Sequence, residues 1–215
     1  MDEPLYPLLH LLRHRLGTDG VGVTTLVAGA GCPLHCRWCI NARLLREAPA
    51  EPVTAEELLN RVRIDDLYYR ATGGGITFGG GEALLHAPFI RRFRELCPDD
   101  WRIVVETSLA VAPEALDTVL GAVDEYIVDC KDLNPVRYAA YTGGNAALME
   151  ANLRRLLSSV SPDQILVRVP LIPDFNTPED QAENAAALQK MGAVRLDLFS
   201  YVIPKNTLQI SAEHV

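Results

Sequence analysis

Six apolar segments rich in branched and aromatic residues recur along this chain, with helical sequence between them. They are Val21–Ala28, Ile76–Phe78, Arg102–Thr107, Glu125–Lys131, Gln164–Pro170 and Val194–Phe199. Helical patterns fall at Ala42–Arg46, Thr54–Tyr69, Pro88–Cys97, Pro113–Leu120, a broken stretch Pro135–Ser158, and Pro178–Met191. Strands alternating with helices imply a parallel sheet joined by right-handed crossovers. The punctuation agrees: Thr54 with Glu57 makes a capping-box pattern, and Asn176-Thr177-Pro178-Glu179 starts a helix. One α/β domain over residues 1–215 is expected, as an open doubly wound sheet or a curled, incomplete barrel. In both, a site lies at the C-terminal ends of the strands. Leu5–Leu16 is apolar but interrupted by His10, Arg13, His14 and Arg15, and reads as a short amphipathic helix within an N-terminal helical extension, residues 1–18.

At 215 residues and 48% hydrophobic, the chain can bury one sizeable core. A formal net charge of −8 argues against nucleic acid or an acidic membrane surface as the main partner. No apolar run is long enough to span a bilayer, and no small-residue cleavage site follows the N-terminal stretch. A reducing cytoplasm is the expected location, and a monomer the expected state.

Three of the five cysteines crowd into Gly31-Cys32-Pro33-Leu34-His35-Cys36-Arg37-Trp38-Cys39. This spacing lets one loop point three thiolates at a single 4Fe–4S cube, leaving the fourth iron open to another ligand. Structural zinc is the competing reading. It usually takes paired knuckles, and here only His35 offers a fourth ligand, since Cys97 and Cys130 are isolated. A disulfide framework fits an odd count of five poorly.

A glycine-rich run, Gly73-Gly74-Gly75 through Gly79-Gly80-Gly81-Glu82, brackets the second strand. Glycines there let backbone approach a ligand closely. The run is no P-loop, because no Gly-Lys-Ser/Thr follows, and Gly29-Ala30-Gly31 fails the dinucleotide fingerprint at Leu34. In a strand, Asp129 and Lys131 share one face and Cys130 takes the other. Asp129 and Lys131 would look into the site, or make an ordinary strand-end ion pair. Glu106 and Thr107 end the third strand at the same mouth, and Arg168 is an always-charged fork suited to carboxylates, or to a salt bridge closing the barrel.

Taken together these motifs resemble the radical S-adenosylmethionine (SAM) superfamily, and more narrowly the glycyl-radical-enzyme activating enzymes of the pyruvate formate-lyase type. The likeness runs from about Asp19 to Tyr201. It is carried by Asp19-Gly20-Val21-Gly22, by Trp38-Cys39-Ile40-Asn41, by Gly73–Thr77 through Glu82-Ala83-Leu84-Leu85, by Asp129-Cys130-Lys131, and by Arg168–Pro173. The resemblance implies a partial (β/α)6 barrel of parallel strands. It also implies a 4Fe–4S cluster on Cys32, Cys36 and Cys39, with SAM chelated at the open iron. Gly80, Gly81 and Glu82 would hold the methionine amino group. Asp129 and Lys131 would hold ribose and carboxylate, with Arg168 nearby. Glu106 and Thr107 would hold SAM or a monovalent cation, and Trp38 would stack near adenine or shield the cluster. His10, His14, His86 and His214 carry no ligand spacing and read as surface or packing residues. The chain departs from the family at Gly79, where Ser is common, at Glu106 for Asp, at Leu109 for Gly, and at Val202 for a polar residue. It also stops soon after the last strand, which is expected to leave a more open mouth.

The function so implied is reductive cleavage of SAM to a 5′-deoxyadenosyl radical, which takes a hydrogen atom from a glycine of a partner glycyl-radical enzyme. An external electron donor of flavodoxin or ferredoxin type and anaerobic conditions go with it. Two alternatives stand beside it: the same chemistry on a small molecule or peptide, and an iron–sulfur electron carrier or sensor without turnover.

Overall fold

The computed structural model describes residues 3–202. In chain order the elements are β1 (Tyr6–Leu16), β2 (Val23–Gly29), α1 (Ala42–Glu47), β3 (Glu51–Val53), α2 (Ala55–Val62), α3 (Asp66–Thr72), β4 (Gly75–Gly80) and α4 (Ala87–Leu96). They continue as β5 (Arg102–Thr107), α5 (Pro113–Val119), β6 (Glu125–Asp129), α6 (Pro135–Thr142), α7 (Ala146–Ser159), β7 (Ile165–Leu171), α8 (Pro178–Lys190) and β8 (Arg195–Ser200). One eight-stranded sheet runs β3-β1-β2-β4-β5-β6-β7-β8. The six expected strands, β2 and β4 to β8, are all parallel. This is the expected partial barrel with two antiparallel strands added at one edge.

The alternation along each strand separates the core from the site. Ile76 and Phe78 of β4, Ile103 and Val105 of β5, Tyr126 and Val128 of β6, and Val167 and Val169 of β7 join the hydrophobic core. Their neighbours Glu106, Asp129 and Arg168 face the other way and line a cavity. The helical stretch expected over Thr54–Tyr69 is two helices, because a 3-10 turn at Arg63–Asp65 interrupts it. Between α6 and α7 the break falls at Gly143, whose φ of 69° ends the helix in the left-handed region.

The N-terminal helix is not there: Tyr6–Leu16 is a strand, antiparallel to β2 and β3. Its pairing slips between Leu8 and His10 and again between Leu12 and Arg15, and His14 takes φ 57°. Each bulge puts an extra residue into the strand and shifts the apolar positions out of two-residue alternation, so their spacing imitates a helix. Tyr6 and Leu8 are buried, and Tyr6 donates to the Val27 carbonyl at 3.2 Å. Among the described residues no helix is long and apolar enough to cross a membrane.

Candidate active site

The cysteine loop leaves the end of β2 and is pinned on two sides. The His35 amide donates to the Thr142 carbonyl at 2.8 Å and the Arg37 amide to Tyr141 at 3.0 Å, fixing the loop to the end of α6. The Gly81 amide donates to Gly29 at 3.0 Å, the Glu82 amide to Gly31 at 2.8 Å, and the Asn41 side chain to the Gly80 carbonyl at 2.7 Å. His86 contacts the Ala30 carbonyl at 2.8 Å, so this histidine supports the loop. Consecutive turns from Cys36 to Cys39 and from Cys39 to Ala42 shape its last part.

These contacts revise the reading of the glycine run. A Cβ on Gly81 would stand 2.1 Å from the Gly31 carbonyl oxygen. Gly81 is therefore required by the cysteine loop that passes against it. Any larger residue there would displace that loop, besides whatever it did to a ligand.

One cavity of about 690 Å³ gathers Cys32, Cys36, Cys39, Trp38, Gly80, Gly81, Glu82, Glu106, Thr107, Asp129, Lys131 and Arg168. Every sequence-selected site residue thus reaches the same space, and its size suits a small-molecule ligand. Cys97 and Cys130 are buried elsewhere in the core. Of the remaining histidines, His10 is exposed, His14 contacts Asp65 at 2.9 Å, and His214 lies outside the described residues.

Inside the cavity the side chains divide into two kinds. Glu82 is buried and fully engaged: it accepts from Thr107 Oγ1 at 2.6 Å, from the Ser108 amide and hydroxyl at 2.9 and 2.6 Å, and from the Leu84 amide at 3.1 Å. Burial pushes its carboxyl above the usual range against the pull of those donors. Glu82 and Thr107 consequently spend their side chains bracing β4 to β5. Lys131 donates to Asp129 at 3.1 Å and to the Tyr201 hydroxyl at 2.8 Å. Burial lowers the lysine's pKa, but Asp129 and Tyr201 outweigh it and hold the ammonium well above its ordinary range. Arg168 donates to Glu106 at 2.9 Å and to the Thr18 carbonyl. Burial pushes Glu106 up to about 7, Arg168 opposes the rise, and Asp129 and Asp19 add to it.

The residues present fit an iron–sulfur cluster with a ligand beside it. The donors are three thiols, the soft ligands that iron–sulfur clusters select. Among the described residues no three His, Cys, Asp or Glu side chains converge on one metal ion. The three thiols line one cavity, and His35, the fourth ligand a zinc site would draw on, is not part of its lining. Burial pushes Cys32 up to about 11 and Cys36 up to about 12, and raises Cys39 too. Loading iron must therefore displace protons. Trp38 Nε1 and the Tyr141 hydroxyl, both buried among the cavity-lining residues, have no hydrogen-bond partner among the described residues, which leaves polar capacity for a ligand.

Tyr141, Ser108 and Tyr201 escaped the sequence reading. Tyr201 had a usable signal, since Asp197, Phe199 and Tyr201 are spaced two apart and all line the cavity. Tyr141 and Ser108 had none, because long-range packing places them.

The family profile described as the Radical SAM superfamily matches residues 26–188. The (2S)-3-sulfopropanediol sulfolyase activating enzyme of Bilophila wadsworthia is 25% identical, over 85% of this chain and 81% of its own length. The pyruvate formate-lyase 2-activating enzyme of Escherichia coli is 28% identical, over 83% of this chain and 70% of its own. Among solved structures, Streptococcus suis SuiB bound to S-adenosylmethionine superposes with a TM-score of 0.64 at 11% identity. The match covers 84% of this chain and only 40% of SuiB, so it speaks for the fold alone.

Proposed function

The chain belongs to the radical SAM superfamily, and from that premise we propose that it activates a glycyl-radical enzyme. Membership implies a 4Fe–4S cluster and SAM, which together supply one-electron cleavage of SAM and abstraction of a hydrogen atom. Cys32, Cys36 and Cys39 are proposed to hold the cluster. The backbone at Gly80 and Gly81 is proposed to meet the amino-acid end of SAM, and the Asp129–Lys131–Tyr201 chain its ribose and carboxylate. Arg168 and Glu106 supply further charge to the cavity, and Trp38 an aromatic face. Glu82 and Thr107 keep the ends of β4 and β5 in register beneath the ligand. The protein's own task is to orient these groups and keep water away from them.

The observation that carries the reading is the convergence on one cavity of the three thiols, the glycine run and the charged strand ends. Glycine as the target is supported by the likeness to activating enzymes over more than four-fifths of the chain. The test is to supply reduced, reconstituted protein with SAM and a glycine-centred peptide deuterated at the α-carbon. Deuterium should appear in 5′-deoxyadenosine. Cleavage of SAM without any transfer from glycyl peptides or partner enzymes would move the substrate to a small molecule. No cleavage at all would leave an electron carrier.

A further inference from the structure

Acidic charge is distributed unevenly along the chain, and the gap falls at the cysteine loop. From Gly20 to Arg46 there is no Asp or Glu, while Arg37, Arg43 and Arg46 are present; the other residues together carry a formal −11 to make the chain's −8. All three arginines are exposed, as are His35 and Pro33. Among the described residues Arg37 and Arg46 have no ion-pair partner, and Arg43 is joined to Glu47 at 2.8 Å with its side chain 81% exposed. Most other arginines are committed to acids, as Arg61 is to Glu51 and Arg155 to Asp117. Beside them Ile40 is 84% exposed.

The position of these residues narrows what could use them. Arg37 follows Cys36 directly, and Ile40 follows Cys39. Their Cα atoms therefore lie one peptide, about 3.8 Å, from those of two of the three proposed cluster ligands. None of the three arginines lines the cavity, and Ile40 stands at its rim. A glycine that gives up a hydrogen atom must enter the cavity, whereas a molecule that delivers an electron need only reach the outside of the cysteine loop. Arg43 and Arg46, three apart on α1, share a helix face. Weak electron-transfer complexes bury less than about 600 Å² on each partner, so a contact made by one loop and one short helix is enough.

We propose that the outer face of the cysteine loop, formed by Arg37, Ile40, Arg43 and Arg46, is the docking surface for a small acidic electron-carrier protein. This rests on the radical SAM reading, which requires an outside electron. One electron leaves the carrier's flavin or iron–sulfur centre, which is oxidised by one equivalent, and reduces the cluster by one equivalent. The basic patch would steer an acidic carrier that the rest of this acidic surface repels, and Ile40 would give the contact a dry centre.

The test uses the reconstituted full chain and a purified flavodoxin as probe. One triple variant carries Arg37→Gln, Arg43→Gln and Arg46→Gln. A control triple, Arg63→Gln, Arg154→Gln and Arg155→Gln, loses the same charge elsewhere. By isothermal titration calorimetry at low salt the first triple should bind flavodoxin about tenfold or more weakly and the control nearly as wild type. The gap should close as salt rises from about 0.05 M to about 0.5 M. With dithionite as reductant the first triple should make 5′-deoxyadenosine at the wild-type rate, and with reduced flavodoxin it should be slow. Equal affinities for the two triples overturn the assignment. So does a first triple that keeps flavodoxin but loses a glycine-centred peptide. The binding constants are read whether or not SAM is cleaved, so failure of the activase reading remains a separate result.

Discussion

Two carboxylates in this molecule meet arginines and end in opposite states. Asp65, away from the cavity, has no exposed side-chain surface and receives a two-pronged Arg13 at 2.5 and 2.6 Å plus His14 at 2.9 Å. Arg13 first of all, with His14, holds its carboxyl below the usual range despite burial. Glu106 lines the cavity and is 19% exposed, yet burial pushes it up to about 7. At Asp65 the Arg13 contact dominates, whereas loss of solvation dominates at Glu106. Its arginine is shared with the Thr18 carbonyl, and Asp129 and Asp19 crowd it. Loss of solvation and a thinner supply of partners together separate Glu106 from Asp65. Asp65 belongs to a finished structural contact, whereas Glu106 and Arg168 have polar capacity left over, as sites that bind charged ligands do.

The contrast can be broken most directly at Arg168. Arg168→Ala should reduce SAM cleavage by about 100-fold, the effect of truncating one partner of a hydrogen-bonded charge pair. A rate within twofold of wild type would make the pair as structural as the one at Asp65. The next largest effect is on stability against pH, where the two acids carry opposite signs. A raised carboxyl leaves the native state holding more protons than the unfolded chain. Glu106 should therefore cost stability progressively as pH rises from about 4.5 through about 7. Glu106→Gln should remove that slope, gaining on the order of 2 kcal/mol near neutral pH by urea unfolding. An unchanged slope would place Glu106 in an ordinary, ionised contact. The depressed carboxyl of Asp65 works the other way, adding stability above its unfolded pKa that is lost as pH falls through the lower folded one. Asp65→Asn should cost on the order of 1 kcal/mol at neutral pH while leaving SAM cleavage untouched. A loss of cleavage there would erase the distinction between the two regions.

Much of this was legible from residues alone, for identifiable reasons. The six parallel strands read as short runs of branched and aromatic residues between helical patterns, and Phe78, Val105 and Val128 among them face the core. Cys32, Cys36 and Cys39 act through local spacing, which a chain displays openly. Bulges hid β1, by shifting its buried positions out of step. Partnerships across long stretches were hidden as well. Lys131 and Tyr201 are 70 residues apart, and Arg168 and Glu106 are 62 apart. Gly81 was legible as a close approach, but the neighbour it approaches is Gly31 and required the fold to identify.

The seam between the cysteine loop and the glycine run also has a thermodynamic consequence. Gly29, Gly31 and Asn41 on one side and Gly80, Gly81 and Glu82 on the other share three hydrogen bonds, with no room for a methyl group at Gly81. Neither segment can be reshaped without the other, so occupancy on one side biases the conformation available on the other. Linkage makes that bias reciprocal: whatever factor a seated cluster adds to the affinity for SAM, SAM returns to the retention of iron. With the proposed cluster and SAM on the two sides of this seam, added SAM should slow the loss of iron to a chelator.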